Sequence, residues 1–223
     1  MYLKDTIESL TRIGPRTPMG DLLRRYWIPA LPEHDVPKHA GEAPVELRLL
    51  GEDLVAEFDG ARILITDRYF KEMAPYPALA RGGVVWVYMG PHDFTPQLPA
   101  FPWLSLPPIK RSTSSHVESS TWSHAVENSL AADTQPIFMP PFYTSSAIEH
   151  VHAFVPVDDT HVTVWSFGPS THLDARAVTL PGDNERIINF RHQMVELARE
   201  TARGHSPETA SRGEWYAMRP FPG

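Results

Sequence analysis

The stretch Val45–Thr66, VELRLLGEDLVAEFDGARILIT, decides the fold class. Val45-Glu46-Leu47-Arg48-Leu49-Leu50 alternates apolar and polar side chains, the period-two pattern of a strand with one buried face. Gly51-Glu52-Asp53 turns the chain, Leu54 to Phe58 returns it, and Asp59-Gly60 is a strong hairpin dipeptide. Ala61 to Thr66 makes a third strand. Tight turns between consecutive strands predict an antiparallel sheet, because parallel strands need long crossovers. Outward from this core, Arg81-Gly82-Gly83 leads into a strand from Val84 to Met89 that ends at Gly90-Pro91. Further on, Ser112–Ser120 alternates like a polar strand, Ser123–Ala132 reads as a short helix, and Ala147–Val155 and His161–Phe167 are apolar strands. A helix is predicted from Asn184 to about Arg203, with Ile187, Phe190 or Arg191, Met194, Leu197, Ala198 and Thr201 on one face and Gly204 as its stop. The class is α+β, with more strand than helix. Gly14-Pro15, Thr17-Pro18 and Pro29 to Pro37 make residues 1–44 an expected N-terminal arm. The proline-rich bridge Thr95–Pro108 marks a boundary between residues 45–95 and 96–223. No internal repeat is found.

The 223 residues include 20 Lys plus Arg and 27 Asp plus Glu, a net charge of −7. An acidic chain is poorly suited to non-specific nucleic-acid binding, which depends on clustered cations. No apolar run reaches the roughly 18 residues of a membrane helix, and Met1–Leu10 lacks the apolar core of a secretory signal, so a cytoplasmic location is expected. There is no cysteine among the 223 residues, which removes disulfides, thiolate zinc sites, cysteine nucleophiles and cysteine-ligated iron–sulfur clusters.

Several residues invite a chemical reading. His150 and His152, two apart on a predicted strand, share a face, with Glu149 and His161 near in sequence; ordinary strand histidines are the preferred reading, because a third metal ligand has no clear place. Glu127 and Asp133 form a carboxylate pair, read here as a solvated side chain and a helix-end residue. Ser112–Ser115 and His116 lack the spacing of a catalytic triad, and Gly82-Gly83 reads as a turn. Trp103, Phe138, Phe142, Tyr143, Trp215, Tyr216 and Phe221 lie in proline-rich stretches without periodicity. Each singly reads as a staple onto the chain's own core, but as a set they are candidate interface anchors.

Several ordered segments resemble the large subunit of Rieske-type ring-hydroxylating oxygenases, the phthalate-dioxygenase-like group. They are Leu10–Gly20 with Arg24-Arg25-Tyr26-Trp27-Ile28-Pro29, the hairpin Val45–Phe58, Gly82–Pro91, Trp122, Val155–Asp159, Trp165-Ser166-Phe167 and Ile187–Ala202. The resemblance implies a truncated Rieske-like β domain over residues 45–95, lacking the cluster lobe. A reduced, helix-grip-like remnant of the catalytic domain, an antiparallel sheet plus a C-terminal helix, would follow over residues 96–223. Family members hold a two-iron two-sulfur cluster through Cys-x-His and Cys-x-x-His pairs between hairpin and closing strand. Here Asp67 runs through Arg68–Met73 straight into Ala74-Pro75-Tyr76. The family's mononuclear iron depends on Glu-x-x-x-Asp-x-x-His with a second His five positions on. Started at Glu127, that pattern meets Ala131, Thr134 and Met139.

In the family, electrons pass from the cluster of one subunit to the mononuclear iron of its neighbour. A kept scaffold with replaced ligands predicts a non-catalytic accessory, beta-like structural subunit. It would assemble with a full-length catalytic alpha subunit carrying the iron–sulfur cluster and the mononuclear iron, and hold no cofactor itself. The alternative expectation is a stand-alone binding protein for small aromatic ligands. A third is a metal-dependent enzyme using His150, His152 and another histidine.

Overall fold

In a computed structural model, Leu50 and Gly51 both adopt positive φ, +50° and +79°, as a two-residue hairpin turn requires. They join β2 (Val45–Leu49) to β3 (Glu52–Phe58), one residue earlier than the sequence pattern places the turn. With β4 (Ile63–Asp67) these strands form an antiparallel sheet in the order β2-β3-β4. The left-handed conformation of Leu50 is unfavourable for a residue with a Cβ. Tertiary contacts offset it: its side chain is fully buried, its N–H donates to the Pro156 carbonyl (2.9 Å), and Gly51 N–H donates to that of Val157 (2.9 Å). The structure describes residues 8–70, 72–93, 95–132, 137–139, 141–147, 150–170, 185–205 and 216–217.

The expected arm is a structured part of the core. Residues 8–11 are helical, and α1 (Pro18–Leu23) is capped by Thr17, whose hydroxyl accepts the Gly20 N–H (3.1 Å). Leu10, Ile13, Met19, Leu22 and Leu23 are buried. β1 (Trp27–Pro32) pairs with β6 (Val84–Tyr88), which pairs in turn with β5 (Ala78–Arg81), giving the sheet β1-β6-β5. Prolines 29 and 32 made this stretch look irregular, but β1 is an edge strand with a register shift at Pro29/Leu31, where missing N–H groups are tolerated. Gly82 and Gly83 form the β5–β6 turn with φ of +70° and +82°.

The largest sheet runs β12-β8-β9-β10-β11-β7. Its strands are β7 (Arg111–Glu118), β8 (Ile137–Met139), β9 (Tyr143–Ala147), β10 (His150–Pro156), β11 (Val162–Pro169) and β12 (Tyr216–Ala217). All its pairings are antiparallel. Helix α2 (Trp122–Ala132) and helix α3 (Glu185–Ala202) pack on one another, with Trp122 edge-on to Phe190. Ile187, Phe190, Met194, Ala198 and Thr201 are buried, as predicted for that face. Gly204 ends α3 at φ +88°: its N–H donates to Thr201 O and that of His205 to Glu200 O, a Schellman closure. Antiparallel sheets with few helices match the predicted class. The hydrophobic core is continuous from Leu10 to Ala198.

Candidate functional site

Helix α2 carries Glu127 and Ala131, the first two positions of the pattern that the sequence resemblance supplies. Trp122, Val126 and Leu130 bury its apolar stripe, and Glu127 is drawn in beside them, only 7% exposed. This corrects the reading of Glu127 as solvated. Arg191 of α3 meets it with a two-pronged contact, Nε to Oε1 at 2.8 Å and Nη2 to Oε2 at 3.0 Å. Both carboxylate oxygens are thereby engaged by one guanidinium, the geometry in which such a pair is strongest.

Four residues beyond Glu127, Ala131 is buried and offers no donor atom. Thr134 and Asp133 lie outside the described residues, and Met139 is described only as part of strand β8. Fe(II) of this kind needs imidazoles and a carboxylate converging with free lone pairs. Glu127, saturated by Arg191, and Ala131 do not fit it. Among the described residues no group of three His, Cys, Asp or Glu converges.

His150 and His152 lie on β10 as expected, two apart and half-buried. His152 Nδ1 is 3.1 Å from Ser166 Oγ on β11. Burial, and then electrostatic repulsion from His150, lower its pKa from the ordinary 6.5. His161 lies in the turn after β10, where Asp158 Oδ1 accepts the backbone N–H groups of Thr160 (2.8 Å) and His161 (2.9 Å). Burial opposes ionisation of Asp158, but these hydrogen bonds and those from the Thr160 hydroxyl and the His161 ring outweigh it, bringing the pKa to about 2.

The interface set is corrected where it is described. Trp103, Phe142 and Tyr143 are buried in the chain's own core. The proline-rich bridge folds back onto the sheet, so that Trp103 stacks on Phe167 at 4.9 Å. Phe142 packs on Tyr143 (4.8 Å), and the Tyr143 hydroxyl donates to the Trp27 carbonyl. Complete burial raises the Tyr143 pKa well above its ordinary value. Phe138 and Tyr216 are Cα partners in the β8–β12 ladder, so the chain at residues 216–217 adds to its own sheet. Trp215 and Phe221 lie outside the described residues.

Sequence reasoning gave Arg24 no role of its own. Its buried guanidinium donates to the carbonyls of Ile13 (3.0 Å), Gly20 (2.9 Å) and Leu50 (2.8 Å) and pairs with Glu52 (2.6 Å). Glu52 also accepts the Tyr76 hydroxyl (3.0 Å), whose pKa is raised first by burial and then by Glu52. A surface cleft of about 510 Å³ is lined by Glu8, Arg12, Arg16, Met19, Val195 and Arg199 among others. It includes neither Glu127 nor the β10 histidines. No described helix is long and apolar enough to cross a membrane.

The arrangement defines a packed antiparallel α+β scaffold in which the buried ion pairs Arg24–Glu52 and Glu127–Arg191 cross-link elements. Its fold is that of NdmA from Pseudomonas putida CBB5, with a TM-score of 0.63 at 13% identity over 90% of this chain and 98% of that one. In sequence, the chain is 34% identical over 155 residues to the oxygenase subunit of 3-chlorobenzoate-3,4-dioxygenase from Comamonas testosteroni, covering 48% of this chain and 35% of that protein. It is 30% identical over 174 residues to the oxygenase subunit of 5,5'-dehydrodivanillate O-demethylase from Sphingobium sp. (strain NBRC 103272 / SYK-6), covering 55% of this chain and 40% of that protein. No family model matches. The matches thus span between a third and two fifths of these relatives' length. The chain is a relative of oxygenase subunits, the class to which the resemblance in its sequence points.

Proposed function

We propose that this chain is a non-catalytic accessory subunit that assembles with a full-length catalytic oxygenase subunit. The observation that carries the reading is on helix α2: Ala131 stands where the pattern has its Asp, and Glu127, where the pattern starts, has both carboxylate oxygens on the Arg191 guanidinium. On this reading residues 45–95 are a Rieske-like β domain without its cluster lobe, and residues 96–223 are a reduced catalytic-domain remnant. The iron–sulfur cluster and mononuclear iron reside in the partner, and the substrate of the complex is an aromatic acid or ether. Native mass spectrometry of the tagged chain purified from its host tests this. A fixed-ratio complex with a larger, cysteine-bearing, iron-containing oxygenase chain is expected. Hydroxylation of an aromatic substrate by the iron-loaded chain alone would overturn it.

A second reading, a stand-alone binder of aromatic acids, is favoured by the cleft lined by Arg16 beside Arg12 and Arg199, which pair with Glu8 and Glu196. Guanidinium groups suit a carboxylate ligand. Saturable benzoate binding in calorimetry, lost in Arg16→Ala, is the outcome that would support it.

A further inference from the structure

Strand β7 is an outer strand of the six-stranded sheet and pairs with β11 over its whole length without a bulge. Among the described residues no strand pairs with its other edge. Natural sheets blunt such edges with shortness, prolines, charges or bulges, because an open row of N–H and C=O groups recruits another strand. β7 has eight residues; Arg111 and Glu118 mark its ends, and Ser112-Thr113-Ser114-Ser115 carries no charge, proline or bulge. Its side chains are exposed over most of its length, and Val117 (62%) and Ile109 (88%) are exposed apolar residues near its two ends.

The backbone fixes which groups face outward. Ser170 N–H donates to Lys110 O (2.9 Å), in register with the Pro169–Arg111 and Val162–Glu118 pairs. Hydrogen-bonded pairs alternate along an antiparallel ladder, so Ser112, Ser114, His116 and Glu118 share the parity of Lys110 and bond to β11. Thr113, Ser115 and Val117 therefore aim their N–H and C=O groups away from the sheet. Pro169, which has no N–H, sits opposite Arg111 at a non-bonded position, as this parity requires.

We infer that β7 is a self-pairing edge that joins two copies of this chain about a two-fold axis through Ser114. In that register Thr113 and Ser115 exchange bonds with each other across the interface, and Val117 N–H donates to Arg111 O of the other copy. The same register sets Lys110 opposite Glu118 at both ends. Centring the axis on Thr113 sets Glu118 opposite Pro108, and centring it on Ser115 sets Lys110 opposite Ser120, so both lose the charge match. Parallel pairing puts like charges together, which is unfavourable for cross-strand neighbours. The inference stands apart from the accessory-subunit reading and uses none of its residues.

The experiment is light scattering coupled to size exclusion, with thermal melts as the fold control. The wild-type chain is expected to be dimeric. Ser115→Pro removes an outward N–H that β11 does not use; it should yield a monomer with an unchanged Tm, whereas Ser114→Pro should lower Tm by breaking the β7–β11 ladder. Lys110→Glu should weaken the dimer about fivefold, and Lys110→Glu with Glu118→Lys should restore it. Should Ser115→Pro fail to fold, that charge swap decides alone. A wild-type monomer at about 1 mM, or a dimer insensitive to both Ser115→Pro and the charge reversal, would overturn the inference. So would a monomeric wild type whose Ser115→Pro variant loses a larger oxygenase chain, which assigns the edge to that partner.

Discussion

Arg24 and Arg191 show how single buried cations organise this chain. Each guanidinium meets one carboxylate, Glu52 or Glu127, and Arg24 adds three backbone carbonyls. Removing one member of such a pair strands the other, whereas replacing both with apolar residues is often close to neutral. Glu127→Gln should therefore cost about 2–3 kcal/mol in urea unfolding, and Glu127→Leu with Arg191→Met less than about 1 kcal/mol. A comparable loss in both variants would show that α2 and α3 need the charges themselves. His152 gives a pH signature. Its folded pKa lies below 6.5, so the unfolded chain takes up the proton first. Its contribution is present above 6.5 and lost as pH falls through the folded value. The fall in Tm on acidification across 6.5 should be smaller in His152→Gln than in the wild type. Composition alone hid these roles. Glu127 was legible as a carboxylate of the oxygenase pattern, but its burial depended on Arg191, sixty-four residues away, and no local pattern records such a partner.

At the level of elements, what was local was readable. The hairpin strands, helices α2 and α3 and the β10–β11 pair follow from periodicity and from turn residues such as Asp59-Gly60 and Gly204. β1 was not readable, because Pro29 and Pro32 argue against a strand unless its edge position is known. β5 is only four residues long, too short for alternation to register. The turn between β5 and β6 illustrates how loop and sheet depend on each other. A Cβ at Gly82 would lie 2.5 Å from Leu104 Cδ2 and 2.7 Å from the Trp103 ring, at φ +70°. Gly82→Ala is thus expected to destabilise by about 2 kcal/mol or more, through both strain and displacement of the bridge. Gly83→Ala, with positive φ but no neighbour within 4 Å, should cost less. Chemical denaturation of the two variants separates the crowding from the backbone effect.

Across the whole molecule, the boundary at residues 95–108 does not divide the core. Trp103 of the bridge stacks on Phe167, Trp27 Nε1 donates to Pro96 O (2.8 Å), and Trp122 Nε1 donates to Leu10 O (2.9 Å). The proline content that marked a linker in the sequence instead shapes a strap against the sheet. A fragment of residues 1–108 should lack sharp, dispersed amide resonances, while the intact chain shows them; a well-dispersed fragment spectrum would establish two independent folding units. The Leu50-Gly51 turn, docked on Pro156 and Val157, has a consequence in time as well as in space. The turn leaves the ribosome about a hundred residues before the carbonyls that hold it, and at roughly 5–20 residues per second that is a wait of about 5–20 s. During that interval Leu50 has no burial to offset its left-handed backbone, so the first hairpin emerges as a nascent chain exposed to chaperones and proteases until the second half of translation arrives to lock it.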